Sequence, residues 1–162
     1  MSNNAAQKGK HSSPGEGNIY AKANEVIVKI TGADTDNTFE VVEENCKPGF
    51  QSCLHYHIKA HETFYVFEGS AVFQVGGICF TPVRVHASIF PPGVPHRVTS
   101  KDGMRMLMIY SPAGTEGMFA DMHALTQAQL MGAELTKQIA LRHDTVMLEH
   151  GKDGRGKGTI LG

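Results

Sequence analysis

The chain has 162 residues, 41% of them hydrophobic and 19% charged. That is enough apolar material for one domain with a full core and no need of disulfide staples. Its formal net charge is −1, so no general electrostatic field draws it to nucleic acid or to an anionic membrane. No apolar run approaches the roughly 18 residues of a membrane span, and the N-terminal stretch MSNNAAQKGKHSSPGEGN lacks the apolar segment of a secretory signal.

Taken in chain order, residues 1–18 are polar, rich in Gly, Ser and Pro, and without periodicity. They read as a disordered tail, with His11 exposed in it. From residue 19 to about 115 the texture is that of β-structure. Short runs rich in Val, Ile, Phe and Tyr are separated by turn residues, and strands are expected over 25–30, 38–43, 53–58, 63–67, 71–75, 78–81, 87–90, 96–99 and 104–110. Gly76-Gly77 between two apolar runs is a two-residue hairpin turn. Close spacing points to an antiparallel sandwich or barrel rather than βαβ units. Beyond Pro112 turn residues thin out, and 115–124 and 127–141 read as one or two helices, placed in a segment 116–150 that packs on the barrel. Residues 151–162 read as a flexible tail whose Lys152, Arg155 and Lys157 are solvated charge. Cys46, Cys53 and Cys79 are odd in number and irregular in spacing, so they read as reduced thiols, and the expected compartment is the cytoplasm.

The chemistry concentrates in GFQSCLHYHIKAHETFYVFEG, Gly49 to Gly69. On a strand His55 and His57 face the same side with Cα atoms roughly 7 Å apart, close enough for both imidazoles to meet one ion at roughly 2 Å. A hairpin-like return over 58–61 would bring Glu62 above them. His96 follows the tight turn Pro91-Pro92-Gly93 and opens the next strand. Three imidazoles and one carboxylate suit Fe, Mn, Ni, Co, Cu or Zn, whereas Ca or Mg would want more oxygens. Four protein ligands leave positions open for water, substrate or dioxygen. His61 adjoins Glu62 and faces away, or takes its place if the turn is shifted by one residue. His86, His123, His143 and His150 match no ligand spacing.

Gly49, His55, His57, Glu62 and Gly69 stand in the order and spacing of the first cupin motif, and Pro91-Pro92-Gly93-Val94-Pro95-His96 resembles the core of the second. Val85 and Ser100 stand where that second motif usually carries Gly and Asn. The flanks ITGADTDNTFEVVEE and MLMIYSPAGTEGMFADM look like those of small single-domain cupins described as quercetin 2,3-dioxygenase-like, and the resemblance spans about residues 25–145. It implies an all-β fold, a single cupin barrel (double-stranded β-helix or jelly roll) with one or two C-terminal helices. It implies one divalent transition metal on His55, His57, Glu62 and His96, and a homodimer formed by pairing sheets or swapping an N-terminal strand, with 25–30 as an edge element.

The function expected is a metal-dependent dioxygenase acting on a small aromatic or enolic compound, with Glu62 as general base. A non-redox isomerase, cyclase or lyase, and a ligand-binding cupin without turnover, are the alternatives. The thiol dioxygenases of this fold use three histidines without the glutamate, so Glu62 speaks against that chemistry. Gln51 and Cys53 share the parity of His55, Phe64 shares that of Glu62, and Phe73 lies on the following strand. With Met106 and Met108 they are the candidate substrate pocket, although alternation alone leaves open which face of 104–110 points inward.

Overall fold

The alternation of apolar and polar residues resolves into two facing antiparallel sheets. The computed structural model describes residues 9–21, 24–81 and 86–149. Its strands are β1 (Asn18–Ala21), β2 (Glu25–Ile30), β3 (Glu40–Cys46), β4 (Phe50–Gln51), β5 (His55–His57), β6 (His61–Gly69), β7 (Val72–Val75), β8 (Ile78–Phe80), β9 (His86–Phe90), β10 (His96–Ser100), β11 (Met104–Ser111) and β12 (Thr145–Met147). One sheet runs β1-β2-β3-β11-β6-β9 and the other β12-β5-β10-β7-β8, with β4 also paired to β10. Helices α1 (Glu116–Ala124), α2 (Gln127–Leu130) and α3 (Ala133–Arg142) lie between β11 and β12. This is the expected β-barrel with a helical C-terminal segment.

Register decides what faces inward. In β11 the buried set is Met104, Met106, Met108 and Tyr110. Arg105, between them, points out to Glu43 at 2.8 Å and Glu68 at 3.2 Å and lies over the Phe67 ring. Turning that strand over would bury a guanidinium away from two carboxylates and expose three methionines, at a cost of several kcal/mol. Across the barrel, Phe73 is fully buried and meets Phe64, Phe90 and Phe80 at ring distances of 5.4, 5.7 and 5.5 Å. This aromatic cluster bridges the two sheets.

Two turns depend on glycine. Val75 pairs with Ile78 across Gly76 (φ 53°) and Gly77 (φ 91°), the double left-handed conformation that a two-residue hairpin needs. At Gly69 (φ 82°) a Cβ would lie 2.3 Å from the Gly103 carbonyl oxygen, so no side chain fits where β6 meets β11.

Several boundaries differ from the sequence reading. Residues 9–17, expected within a disordered tail, run against β2, where Lys29 Nζ donates to the carbonyls of Ser13 (2.9 Å) and Glu16 (3.3 Å); residues 1–8 and 150–162 lie outside the described residues. The strand expected over 38–43 starts at Glu40 and reaches Cys46, because the preceding residues form a 3₁₀ turn (Gly32–Thr35) closed by left-handed Asp36 and Asn37. The helix expected over 127–141 is two, since Gly132 takes an extended conformation ahead of α3. β1, β4 and β12 are too short to carry a readable period.

Candidate metal centre

The cluster is assembled from both sheets. His55 and His57 share one face of β5, and His96 on β10 pairs directly with His55. Glu62 comes from β6 in the other sheet, where its row neighbours are Phe90 and Tyr110. The return after β5 is therefore not a hairpin. The chain crosses between sheets over 58–60, and the Asp144 carboxylate holds that crossing by accepting from the backbone N–H of Lys59 (3.0 Å) and Ala60 (2.9 Å). Glu62 thus approaches the histidines from the opposite wall. Its Oε2 lies 2.8 Å from His96 Nε2, 3.0 Å from His57 Nε2 and 4.0 Å from His55 Nε2. His57, Glu62 and His96 are all at most 2% exposed. His61 is exposed on the other face of β6. His123 is exposed on α1, and His143 pairs with Asp121 at 2.9 Å.

The imidazole orientations fit a metal ion. His55 Nδ1 lies 2.9 Å from the Cys53 carbonyl, and His96 Nδ1 lies 2.9 Å from the Val94 carbonyl. A carbonyl only accepts, so both Nδ1 atoms carry the proton and donate. Neutral imidazoles of that tautomer turn Nε2 lone pairs toward the Glu62 carboxylate, and lone pairs facing an anion need a cation among them. The four donor atoms lie within 4.8 Å of one another, so a single metal ion could be held by all of them. His57 is oriented from further away. Its Nδ1 lies 3.2 Å from Thr145 Oγ1, and that hydroxyl also lies 3.2 Å from the His143 carbonyl. The hydroxyl donates to the carbonyl and accepts from Nδ1–H, which frees Nε2 for the ion.

Electrostatics separate the two walls. Burial opposes charge on Glu62, but the imidazoles of His57 and His96 against its carboxylate outweigh it and hold the carboxyl well below the usual range. His55 is pushed down to about 4, by burial first and then by its histidine neighbours. Tyr110 is held well above an ordinary phenol by burial, then by the Glu62 charge, so its hydroxyl stays protonated, and it donates to Met108 Sδ at 3.4 Å.

Residues 42–110 match the family model described as Cupin domain. The chain contains a cupin domain. None of the curated proteins matches its sequence. Among solved structures, the chain is similar to KdgF from Halomonas sp., at 13% identity and TM-score 0.60 over 67% of this chain and 98% of that one. It is also similar to the polyketide cyclase RemF from Streptomyces resistomycificus, at 20% identity and TM-score 0.55 over 64% and 80% of the two chains. A third is a predicted oxalate decarboxylase from Thermotoga maritima, at 18% identity and TM-score 0.52 over 55% and 80%. These identities establish a shared fold and nothing finer.

The barrel's cavity holds about 170 Å³ and opens beside His55, His57 and Glu62. Of the residues expected to line it, Cys53, Phe64, Met106 and Met108 do. Gln51 does not. The chain leaves the ladder after β4, where Ser52 exchanges hydrogen bonds with the Val98 backbone at 2.9 and 3.0 Å, and strand parity is not carried across that break. Phe73 does not either, being filled in behind Phe64 in the core. Glu44, Tyr110 and Thr145 line the cavity unannounced, as do Met118 and Phe119 from α1. Tyr110 was readable as the next residue of the Met104-Met106-Met108 parity. Thr145 had no signal, being 88 residues from His57.

Proposed function

We propose that this cupin is a metal-dependent enzyme acting on a small aromatic or enolic compound, with dioxygenation as the reaction. The observation that carries the reading is the convergence of three imidazole nitrogens and one carboxylate at an apolar cavity. A divalent transition metal on His55, His57, Glu62 and His96 would supply Lewis acidity toward a hydroxyl or enol and, if redox-active, electron transfer to dioxygen. Glu62 is the base that takes the substrate hydroxyl proton, with Tyr110 beside it in the same strand row. Phe64, Met106, Met108 and Phe119 provide flat and deformable walls that exclude water from an aromatic ring.

A volume of about 170 Å³ is below the roughly 300 Å³ at which drug-sized pockets begin. It favours a single-ring substrate over a flavonol, so quercetinase-like specificity is the less favoured form of the reading. The test is oxygen uptake by protein loaded with defined metals, using flavonols and one-ring enols or catechols. Uptake with a redox-active metal, fastest on one-ring compounds and lost in Glu62→Ala, is the expected result. Turnover without oxygen would move the assignment to an isomerase, cyclase or lyase, a class represented among the fold's neighbours by RemF. Ligand binding without turnover in any metal form would make the cupin a binding module.

The protein is further proposed to be a homodimer in the cytoplasm. The outward face of β6, β9 and β11 exposes Tyr65 at 42%, Ile89 at 59% and Ile109 at 37%, an apolar patch suited to a second copy. Sedimentation should give a dimer that Ile89→Lys converts to monomer. The free thiols Cys46, Cys53 and Cys79 suit a reducing compartment.

A further inference from the structure

Glu44 is the one carboxylate that lines the cavity outside the four-residue cluster, among the described residues. Its position is otherwise a core position. Val26, Glu44, Met106 and Val66 lie side by side across β2, β3, β11 and β6, and all four are buried. A carboxylate in such a row is costly where an apolar side chain would serve. Burial pushes it up to about 7.

Its local partners do not account for it. Asn24 Nδ2 donates to Glu44 Oε1 at 3.1 Å, and the Cys46 thiol is a further hydrogen-bond neighbour. Asn24 is held separately, because its Oδ1 accepts from the Lys47 backbone N–H at 3.1 Å. Its turn therefore has a second tie.

The register sets the distance to the cluster. Glu62 lies in the row of Tyr110 and Glu40, while Glu44 lies in the row of Met106. Those rows are four residues apart on β11, about 13 Å along the strand, and because β3 and β6 flank β11 the two side chains are also offset by about 10 Å across it; Met108 with Phe64 floors the interval. Once the two acidic side chains have spanned part of it, the remainder accommodates one six-membered ring bearing oxygens at both ends.

We propose that Glu44 is a ligand-recognition residue that accepts a hydrogen bond from a hydroxyl on the side of a monocyclic hydroxy-ketone or enol remote from the four-residue cluster. The inference rests on the metal-centre reading above and narrows its substrate class to single rings with a distal hydroxyl.

The test uses two chelators on the cobalt-loaded protein, followed by the cobalt absorption bands. Kojic acid and allomaltol present the same hydroxy-ketone and differ only in carrying hydroxymethyl or methyl on the far side of the ring. At pH 8, where the Glu44 carboxyl is ionised, the parent should bind kojic acid about tenfold more tightly, the value of one hydrogen bond to a charged acceptor. Glu44→Leu should bring the ratio to about one with the affinity for allomaltol unchanged. Glu44→Gln keeps an oxygen for Asn24 should the leucine variant fail to fold, and as a neutral acceptor it should leave a preference of about threefold. Equal affinities in the parent, or a preference that survives Glu44→Leu, would overturn the proposal alone. Failure of both chelators to bind, or of cobalt itself to bind, would overturn the metal-centre reading and this proposal together.

Discussion

The two sheets share one cavity and furnish it differently. The wall made by β5, β10 and β12 supplies nitrogen donors, His55, His57 and His96, each aimed by a partner on Nδ1. The wall made by β3, β6 and β11 supplies acids and soft apolar surface, Glu44, Glu62, Tyr110, Met106 and Met108. On the nitrogen wall two of the three orienting contacts come from a backbone carbonyl two residues earlier, so donor geometry is built into the local chain. On the acid wall nothing local sets the spacing of Glu62 and Glu44, and the register of three strands does. In the function proposed above, ion binding belongs chiefly to the first wall, while proton handling and ligand choice belong to the second.

The largest effect is expected where the walls meet. Phe73→Ala should cost about 3–5 kcal/mol in denaturant unfolding while leaving metal stoichiometry intact, because Phe73 packs between the sheets and not on the cavity. Loss of metal binding at unchanged stability would contradict that placement.

Next comes the nitrogen wall. His57→Ala or His96→Ala should weaken metal binding by more than the roughly 10–100-fold of an outer-shell change, as read by metal analysis after dialysis. Glu62→Gln should retain metal on the three imidazoles and lose turnover. Thr145→Val should weaken metal binding about 10–100-fold, and Thr145→Ser should restore it, since only the hydroxyl orients His57.

The smallest effect is a pH dependence in which the walls oppose each other. His55 titrates at about 4 in the fold against 6.5 ordinarily, so between these values the unfolded chain holds the extra proton. Its contribution to stability is lost as pH falls through that window. Glu44 titrates at about 7 against 4.5, so the folded chain holds the extra proton, and its contribution is lost as pH rises through 4.5 to 7. In metal-free protein the two slopes, each at most about 1.4 kcal/mol per pH unit, largely cancel near pH 5–6. Glu44→Leu should unmask a stability that rises with pH, measurable by urea unfolding at pH 5 and 7; an unchanged profile would show that Glu44 does not titrate there.

Much of the site is legible in the residue order. The alternation of His55, Tyr56 and His57, the tight turn before His96, and the match of Gly49 to Gly69 with the first cupin motif locate four donors that meet in space. Readings that depended on extending parity across a break went astray at Gln51, and the one that guessed pocket from proximity in sequence went astray at Phe73.

The sequence by itself determined the β texture, the donor types and their direction on each strand, because alternation and backbone-to-imidazole contacts are local. Only the tertiary structure decided that Glu62 arrives from the opposite sheet, that the methionine face of β11 points inward, that Thr145 orients His57, and that Glu44 looks into the cavity. Those facts follow from which strands pair and in what register, and pairing is a long-range choice made by burial of the whole core. The centre on His55, His57, Glu62 and His96 is thus written in the chain, while the cavity that selects what reaches it is written in the packing.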